Sequence, residues 1–281
     1  MFNEKVSLKN ISYHQNKILW AVETNSGLIR SHNEDYYIAR PAFGLWILCD
    51  GMGGHAGGAM ASRVCAETIA HYIIQGKDLE QAIQLSHEAV HNLGKQASDQ
   101  SGQPCSTVAV LLISKRQWTV AWAGDTRVWL FEKKKLQQIT RDHTVVRKLL
   151  DWGVITEAEA KIHPDRHKVT RAIGIGKEHP EISIKTGVWN SDQVFLLGTD
   201  GMAYRDEPEI LLNILINTVN PDQVVDELAY ASLQISGSDN FTIAVVGRSL
   251  ENRFIRNAVE KSREIWNRHS KMGGLLQPVH F

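Results

Sequence analysis

Acidic residues recur at the edges of apolar runs: Glu34-Asp35 in RSHNED, Asp50-Gly51 directly after LWILC, Asp125 in AGDTR, Asp200-Gly201 after FLLGT, and Asp239-Asn240 before FTIAVV. One aspartate at such a place is a turn residue, because Asp and Gly stop strands for conformational reasons. Recurrence admits a second reading, in which the strand ends converge and their oxygens hold hard divalent cations. Carboxylates, backbone carbonyls and water suit Mg²⁺ or Mn²⁺. Two such ions about 3.5 to 4 Å apart polarise a phosphoryl oxygen and lower the pKa of a bound water towards neutrality, which is the chemistry of phosphoester hydrolysis. The glycines of DGMGGHAGG let the backbone approach an ion closely, so the Gly51 carbonyl is itself a candidate ligand. Arg30, four residues before the first acidic pair, offers a planar fork for two phosphate oxygens. The plainer reading of Arg30 is a surface arginine.

Strands and helices must bring these groups together. ILWAVET (18–24), LWILCD (45–50), TVAVLLIS (107–114), WTVAWAGD (118–125), RVWLFE (127–132), QVFLLGTD (193–200) and FTIAVVG (241–247) predict at least seven strands. Apolar residues at helical spacing predict helices over 58–75, 79–96 and 223–235. Tight turns within LLISKRQWTV (111–120) and AGDTRVW (123–129) predict antiparallel hairpins. Residues 145–176 change character, with many charges, Trp152-Gly153, His163-Pro164 and Gly174-Ile175-Gly176, and predict a helical flap. At 251–271 one helical face collects Phe254, Ile255, Ala258, Val259, Ile265 and Trp266, which predicts a helix that caps the core or docks a partner. The expectation is one α+β domain over 17–248 with its flap at 145–176, and a C-terminal helical extension at 249–281.

Composition narrows the partners. Of 281 residues 43% are hydrophobic and 22% charged, a globular balance that excludes a disordered chain. Lys plus Arg number 31, as do Asp plus Glu, so no global field favours nucleic acid or an anionic membrane. Cys49, Cys65 and Cys105 form no CxxC pair and suit reduced thiols in the cytoplasm. The N-terminus has no apolar core of a leader, and runs such as VAVLLI are too short to span a bilayer.

RSHNED, DGMGGHAGGAMAS, AGDTR, GTDGM and SDNFT, in this order and spacing, resemble the metal-dependent protein phosphatases, the type 2C serine/threonine phosphatases, in their bacterial form. The resemblance spans roughly residues 17–247. It implies a four-layer αββα sandwich, two central antiparallel sheets flanked by helices, with a binuclear Mn²⁺ or Mg²⁺ centre at one end. Carried residue by residue, it implies that Asp50 bridges both ions, that Gly51 gives its carbonyl to one, and that Asp200 and Asp239 hold the other. Asp125 with Asp200 would hold a third, weaker ion. Asp35 would orient metal-bound water, Glu34 would assist it, and Arg30 would clamp the phosphate. His167 matches a flap histidine that handles substrate. Three motifs depart from the family's usual form while keeping the aspartates: GDTR stands for GDSR, GTDG for SDG, and PCSTVAV for a Gly-Thr-Thr strand start. Animal members carry a histidine two residues after the bridging aspartate, where this chain has Met52, so the leaving alkoxide would take its proton from metal-bound water, His55 or His167. The implied activity is hydrolysis of phosphoserine or phosphothreonine in proteins by in-line attack of metal-activated water. A cognate serine/threonine kinase or its targets are the implied partners, with no nucleic acid, no membrane, and a monomeric state.

Two other motifs compete. HEAVH (87–91) fits the HExxH zinc pattern, but Ala97 stands where a longer zinc signature has its third histidine, and polar positions on an amphipathic helix account for it better. GMGGHA (51–56) matches a dinucleotide fingerprint, yet Asp50 directly before it and hairpin-linked strands count against that reading. A phosphoprotein-binding module without turnover would be marked by loss of Asp50, Asp200 or Asp239, and none is lost.

Overall fold

The computed structural model describes residues 5–6, 18–54, 56–96, 103–176, 179–190, 192–218, 220–235 and 237–248. The strands are β1 (Lys5–Val6), β2 (Ile18–Asn25), β3 (Asp35–Arg40), β4 (Leu45–Met52), β5 (Cys105–Ser106), β6 (Val108–Ser114), β7 (Gln117–Ala123), β8 (Arg127–Glu132), β9 (Lys135–Gln138), β10 (Ser183–Val188), β11 (Val194–Gly198) and β12 (Phe241–Arg248). The helices are α1 (Ala56–Ile74), α2 (Leu79–Gln96), α3 (Val145–Asp151), α4 (Glu157–Ile162), α5 (Pro208–Asn217) and α6 (Pro221–Ile235).

Both sheets are antiparallel. One runs β1-β2-β12-β11-β8-β9, the other β10-β7-β6-β4-β3 with β5 added on β4. Central strands carry unbroken apolar runs because each face is covered. In β4, Trp46 and Leu48 enter the layer between the sheets, while Leu45, Ile47 and Cys49 face α1 and α2. In β12, Ala244 and Val246 enter the same middle layer, while Phe241, Ile243 and Val245 pack under α5 and α6. Three apolar layers separated by two sheets make the αββα sandwich. Trp20, Trp46, Trp118 and Trp122 supply much of the middle layer's volume.

Lys115-Arg116 joins β6 to β7 as the expected hairpin, but the turn at 123–129 is no hairpin. Strand β7 pairs with β6 and β10, whereas β8 pairs with β11 and β9 in the opposite sheet. The chain crosses between layers at Gly124, whose φ of 108° few other residues adopt. Two strands of similar composition joined by a short Gly-Asp turn look alike whether they pair or part. The crossover places Asp125 at the rim of both sheets.

Register gathers the other acids at that same end. Asp35 lies directly opposite Asp50, and Gly198, two residues before Asp200, pairs with Ile243 on one side and Arg127 on the other. The helix expected over 251–271, the rest of the extension at 249–281, and His55 lie outside the described residues.

Candidate active site

At the acid-bearing end opens a cavity of about 370 Å³. Five carboxylates, of Glu34, Asp50, Asp125, Asp200 and Asp239, line it with Gly51, Asn240, His32 and His167, and the one guanidinium is that of Arg30. Asp35 is buried beneath rather than in this lining. Arg30 forks onto Asp239, Nε to Oδ1 at 3.1 Å and Nη2 to Oδ2 at 3.2 Å.

Hydroxyl groups hold the acids in place. The Asp50 N–H donates to Thr107 Oγ1 (3.1 Å), and the Asp50 carbonyl accepts from the Thr107 N–H (2.8 Å) and the Ser106 hydroxyl (3.1 Å). Thr107 and Thr126 share a buried hydrogen bond of 2.8 Å, so the CST and GDT segments are joined. Thr199, from GTDG, and Thr242 each donate to Asp35 Oδ2 at 2.8 Å, tying one sheet to the other. Where threonine stands for serine in GDTR and GTDG, the hydroxyl that sets the aspartates is kept. Asn240 clips the loops: its Oδ1 accepts the Glu34 N–H, and its Nδ2 donates to the carbonyls of Ser26 and His32. A Cβ on Gly51 would stand 2.0 Å from the Gly58 carbonyl oxygen, so only glycine lets α1 start against β4 here.

The charge is unbalanced. Burial, then the charges of Asp200, Asp35, Asp125 and Asp239, hold the Asp50 carboxyl far above the ordinary carboxylate range. Burial pushes Asp35 up to about 7 against the pull of the Thr199 and Thr242 hydroxyls. Burial raises Asp125 to about 6 although Arg205 opposes it, and raises Asp200 as well. Below Asp125 lies a base of arginines paired with aspartates. Arg205 Nη2 donates to the Asp125 carbonyl at 2.9 Å and stands 3.7 Å from its Oδ2. Arg127 in turn grips Asp142 through Nε and Nη2 and donates to Asp206 and the Arg205 carbonyl through Nη1.

These donors fit a hard cation. All are oxygens, they repel one another when ionised, and the cavity has room for coordinated water. Among the described residues no three acidic, imidazole or thiol groups converge as a ready-made ion cage. The carboxylates and Gly51 ring the space instead.

Arg30, Glu34, Asp50, Gly51, Asp125, His167, Asp200 and Asp239, all read from sequence, therefore border one cavity. Spacing alone did not single out Arg205, Arg127, Thr107, Thr199, Thr242 or His32. Arg205 had one legible signal, its place five residues after Asp200. HEAVH is structural but less exposed than its polar letters imply. His87 is buried and its Nδ1 accepts the Gly174 N–H, while the His91 ring stacks parallel to it at 6.2 Å. Together they hold the loop at Gly174.

Solved structures share this architecture. A serine/threonine phosphatase of Mycobacterium tuberculosis, PstP/Ppp, superposes with a TM-score of 0.75 at 29% identity, covering 83% of this chain and 99% of that one. The PstP catalytic domain in complex with two manganese ions gives 0.72 at 27% identity, covering 83% and 98%. PppA, a regulatory component of the type VI secretion system in Pseudomonas aeruginosa, gives 0.71 at 29%, covering 82% and 97%. Fold and carboxylate-ringed cavity together define a protein phosphatase. More narrowly, the chain belongs to the protein phosphatase 2C family, whose sequence model matches residues 30–239. Among curated relatives, PstP of M. tuberculosis is 31% identical over 232 residues, 80% of this chain and 44% of that protein. The protein phosphatase PhpP of Streptococcus pneumoniae is 27% identical over 251 residues, 82% and 97% of the two chains.

Proposed function

We propose that this protein hydrolyses phosphoserine and phosphothreonine in phosphoproteins, using Mn²⁺ or Mg²⁺ held in the carboxylate-lined cavity. The observation that carries the reading is five carboxylates around one cavity with Arg30 at its edge. Asp50 and the Gly51 carbonyl would hold one ion, Asp50 would share itself with a second held by Asp200 and Asp239, and Asp125 is the acid available to a third. Bound ions polarise a phosphoryl oxygen and supply a water acidic enough to attack phosphorus near neutral pH. The chain's own work is placement. Thr107 and Ser106 fix the Asp50 backbone, Asn240 fixes the loop of Glu34, and Asp35 sits behind the acids where its charge adjusts theirs. Pairing with Asp239 holds Arg30 at the cavity edge, from where its guanidinium would turn N–H groups to two phosphate oxygens. His167, exposed on the segment after α4 and lining the cavity, would hand a proton to the leaving alkoxide.

Phosphoproteins, including a cognate kinase or its targets, fit a cavity open to solvent. Buried free thiols at Cys49, Cys65 and Cys105 support a reducing compartment such as the cytoplasm. No helix among the described residues is long and apolar enough to cross a membrane. Phosphate release from a phosphothreonine peptide with added Mn²⁺, repeated with chelator and with Asp200→Asn, tests the reading. Release should require both the ion and Asp200; folded, ion-loaded protein that releases no phosphate from any phosphopeptide would overturn it.

A further inference from the structure

Next to the catalytic cavity lies a larger one of about 510 Å³, continuous with it through Asp125, His167 and Asp200. Val146, Leu150, Met202 and Ile235 form its apolar wall, and the cluster of Arg127, Asp142, Arg205 and Asp206 lies at its base. That base is matched within itself, each guanidinium already holding carboxylates. Two of the remaining cations of the lining, Lys161 and Arg166, are different. Of the four arginines between residues 141 and 171, Arg141 and Arg147 hold Asp151 and Arg171 holds Glu181. Arg166 holds no carboxylate among the described residues, and it is exposed on the wall of this cavity. Lys161 lines the same wall, reaches Asp206 only through longer-range charge, and forms no salt bridge among the described residues.

We infer that this cavity is a second subsite, in which Arg166 with Lys161 binds an anionic side chain, carboxylate or phosphorylated, close in sequence to the residue being dephosphorylated. The inference rests on the phosphatase reading above and adds to it a preference for acidic or multiply phosphorylated segments. Continuity at Asp125 and His167 lets one extended segment enter both cavities. The apolar wall takes the carbon skeleton of the flanking residue, and a planar guanidinium suits either anion.

The test uses the full chain with Mn²⁺ and phosphothreonine peptides in which each flanking position in turn carries alanine, glutamate or a non-hydrolysable phosphonate. At one flanking position glutamate should lower KM about threefold to fivefold relative to alanine, and the doubly charged phosphonate more, with the gain shrinking as salt rises. Arg166→Gln should erase the ratio between acidic and alanine peptides, Lys161→Gln should reduce it, and Arg166→Lys should restore part of it. A ratio near one at every position in the wild type, or a full ratio retained in Arg166→Gln, would overturn the subsite while hydrolysis of the alanine peptides leaves the phosphatase reading standing. Failure to hydrolyse any peptide, or p-nitrophenyl phosphate, would instead remove the phosphatase reading and the subsite with it.

Discussion

Asp35→Asn should change how stability depends on pH, by an amount the structure sets. Asp35 is buried, two threonine hydroxyls donate to one of its oxygens, and burial pushes its carboxyl from 3.8 to about 7. Between those values the folded protein keeps a proton that the unfolded chain releases. The stability this proton brings is complete below about pH 4 and is lost as pH rises through about 7. A shift of roughly three units is worth about 4 kcal/mol in all, of which about 2.5 kcal/mol is lost between about pH 5 and about pH 8. Asn carries neither the charge nor the proton, and its amide oxygen still accepts from Thr199 and Thr242. In chelator, urea unfolding of both proteins at about pH 5 and about pH 8 should show the difference moving about 2.5 kcal/mol in favour of Asn at the higher pH. His143 works in the opposite sense: burial and the nearby Arg171 lower it to about 4, so its contribution grows as pH rises towards 6.5. Both proteins carry that histidine, so it cancels in the difference. A difference equal at the two pH values would refute the reasoning.

Asp50→Asn should cut turnover by about a thousandfold or more, yet raise the melting temperature in chelator by a few degrees, because one buried carboxylate leaves a repelling cluster. A folded variant with near-normal kcat would sink the role given to Asp50. Added Mn²⁺ should raise the melting temperature of the wild type more than that of Asp50→Asn, as scanning calorimetry will show, and equal shifts would separate ion binding from Asp50. Arg30→Ala should weaken substrate binding about tenfold or more with a smaller change in kcat, as expected for lost charge-assisted hydrogen bonds; steady-state kinetics with unchanged KM and kcat would remove Arg30 from phosphate binding. Gly124→Ala places a Cβ 2.6 Å from Thr107 Cβ at a φ of 108°, so it should destabilise by about 2 kcal/mol and lower activity through Asp50; a variant matching wild type in both would show that the crossover tolerates a side chain.

Much of the sandwich was legible because its central strands are apolar on both faces. LWILC and VAVLLI read as strands without alternation, and α2 matched its expected bounds of 79–96. Edges were harder to see. Strand β10, with lysine and exposed side chains, and β9 have little to bury, and β3 begins with the polar residues of the acidic motif. Helix α5 was not among the expected helices. At the site, carboxylates announced themselves by falling at strand ends, since a turn needs one acid but not five. Their partners did not. Thr107, Thr199 and Thr242 lie within strands or beside them, where a threonine is ordinary until its hydroxyl is seen donating across the layers.

Thr199 and Thr242 belong to one sheet and Asp35 to the other, and the acids of the cavity are likewise drawn from both. The site is therefore a gauge of the spacing between layers. A slight parting of the sandwich at this end would scatter the acids while every strand kept its ladder and every helix its turns. Heat or denaturant should silence the chemistry before circular dichroism registers lost secondary structure, and fraying that begins at the outer strands β9 and β10 would leave it intact until the layers themselves separate.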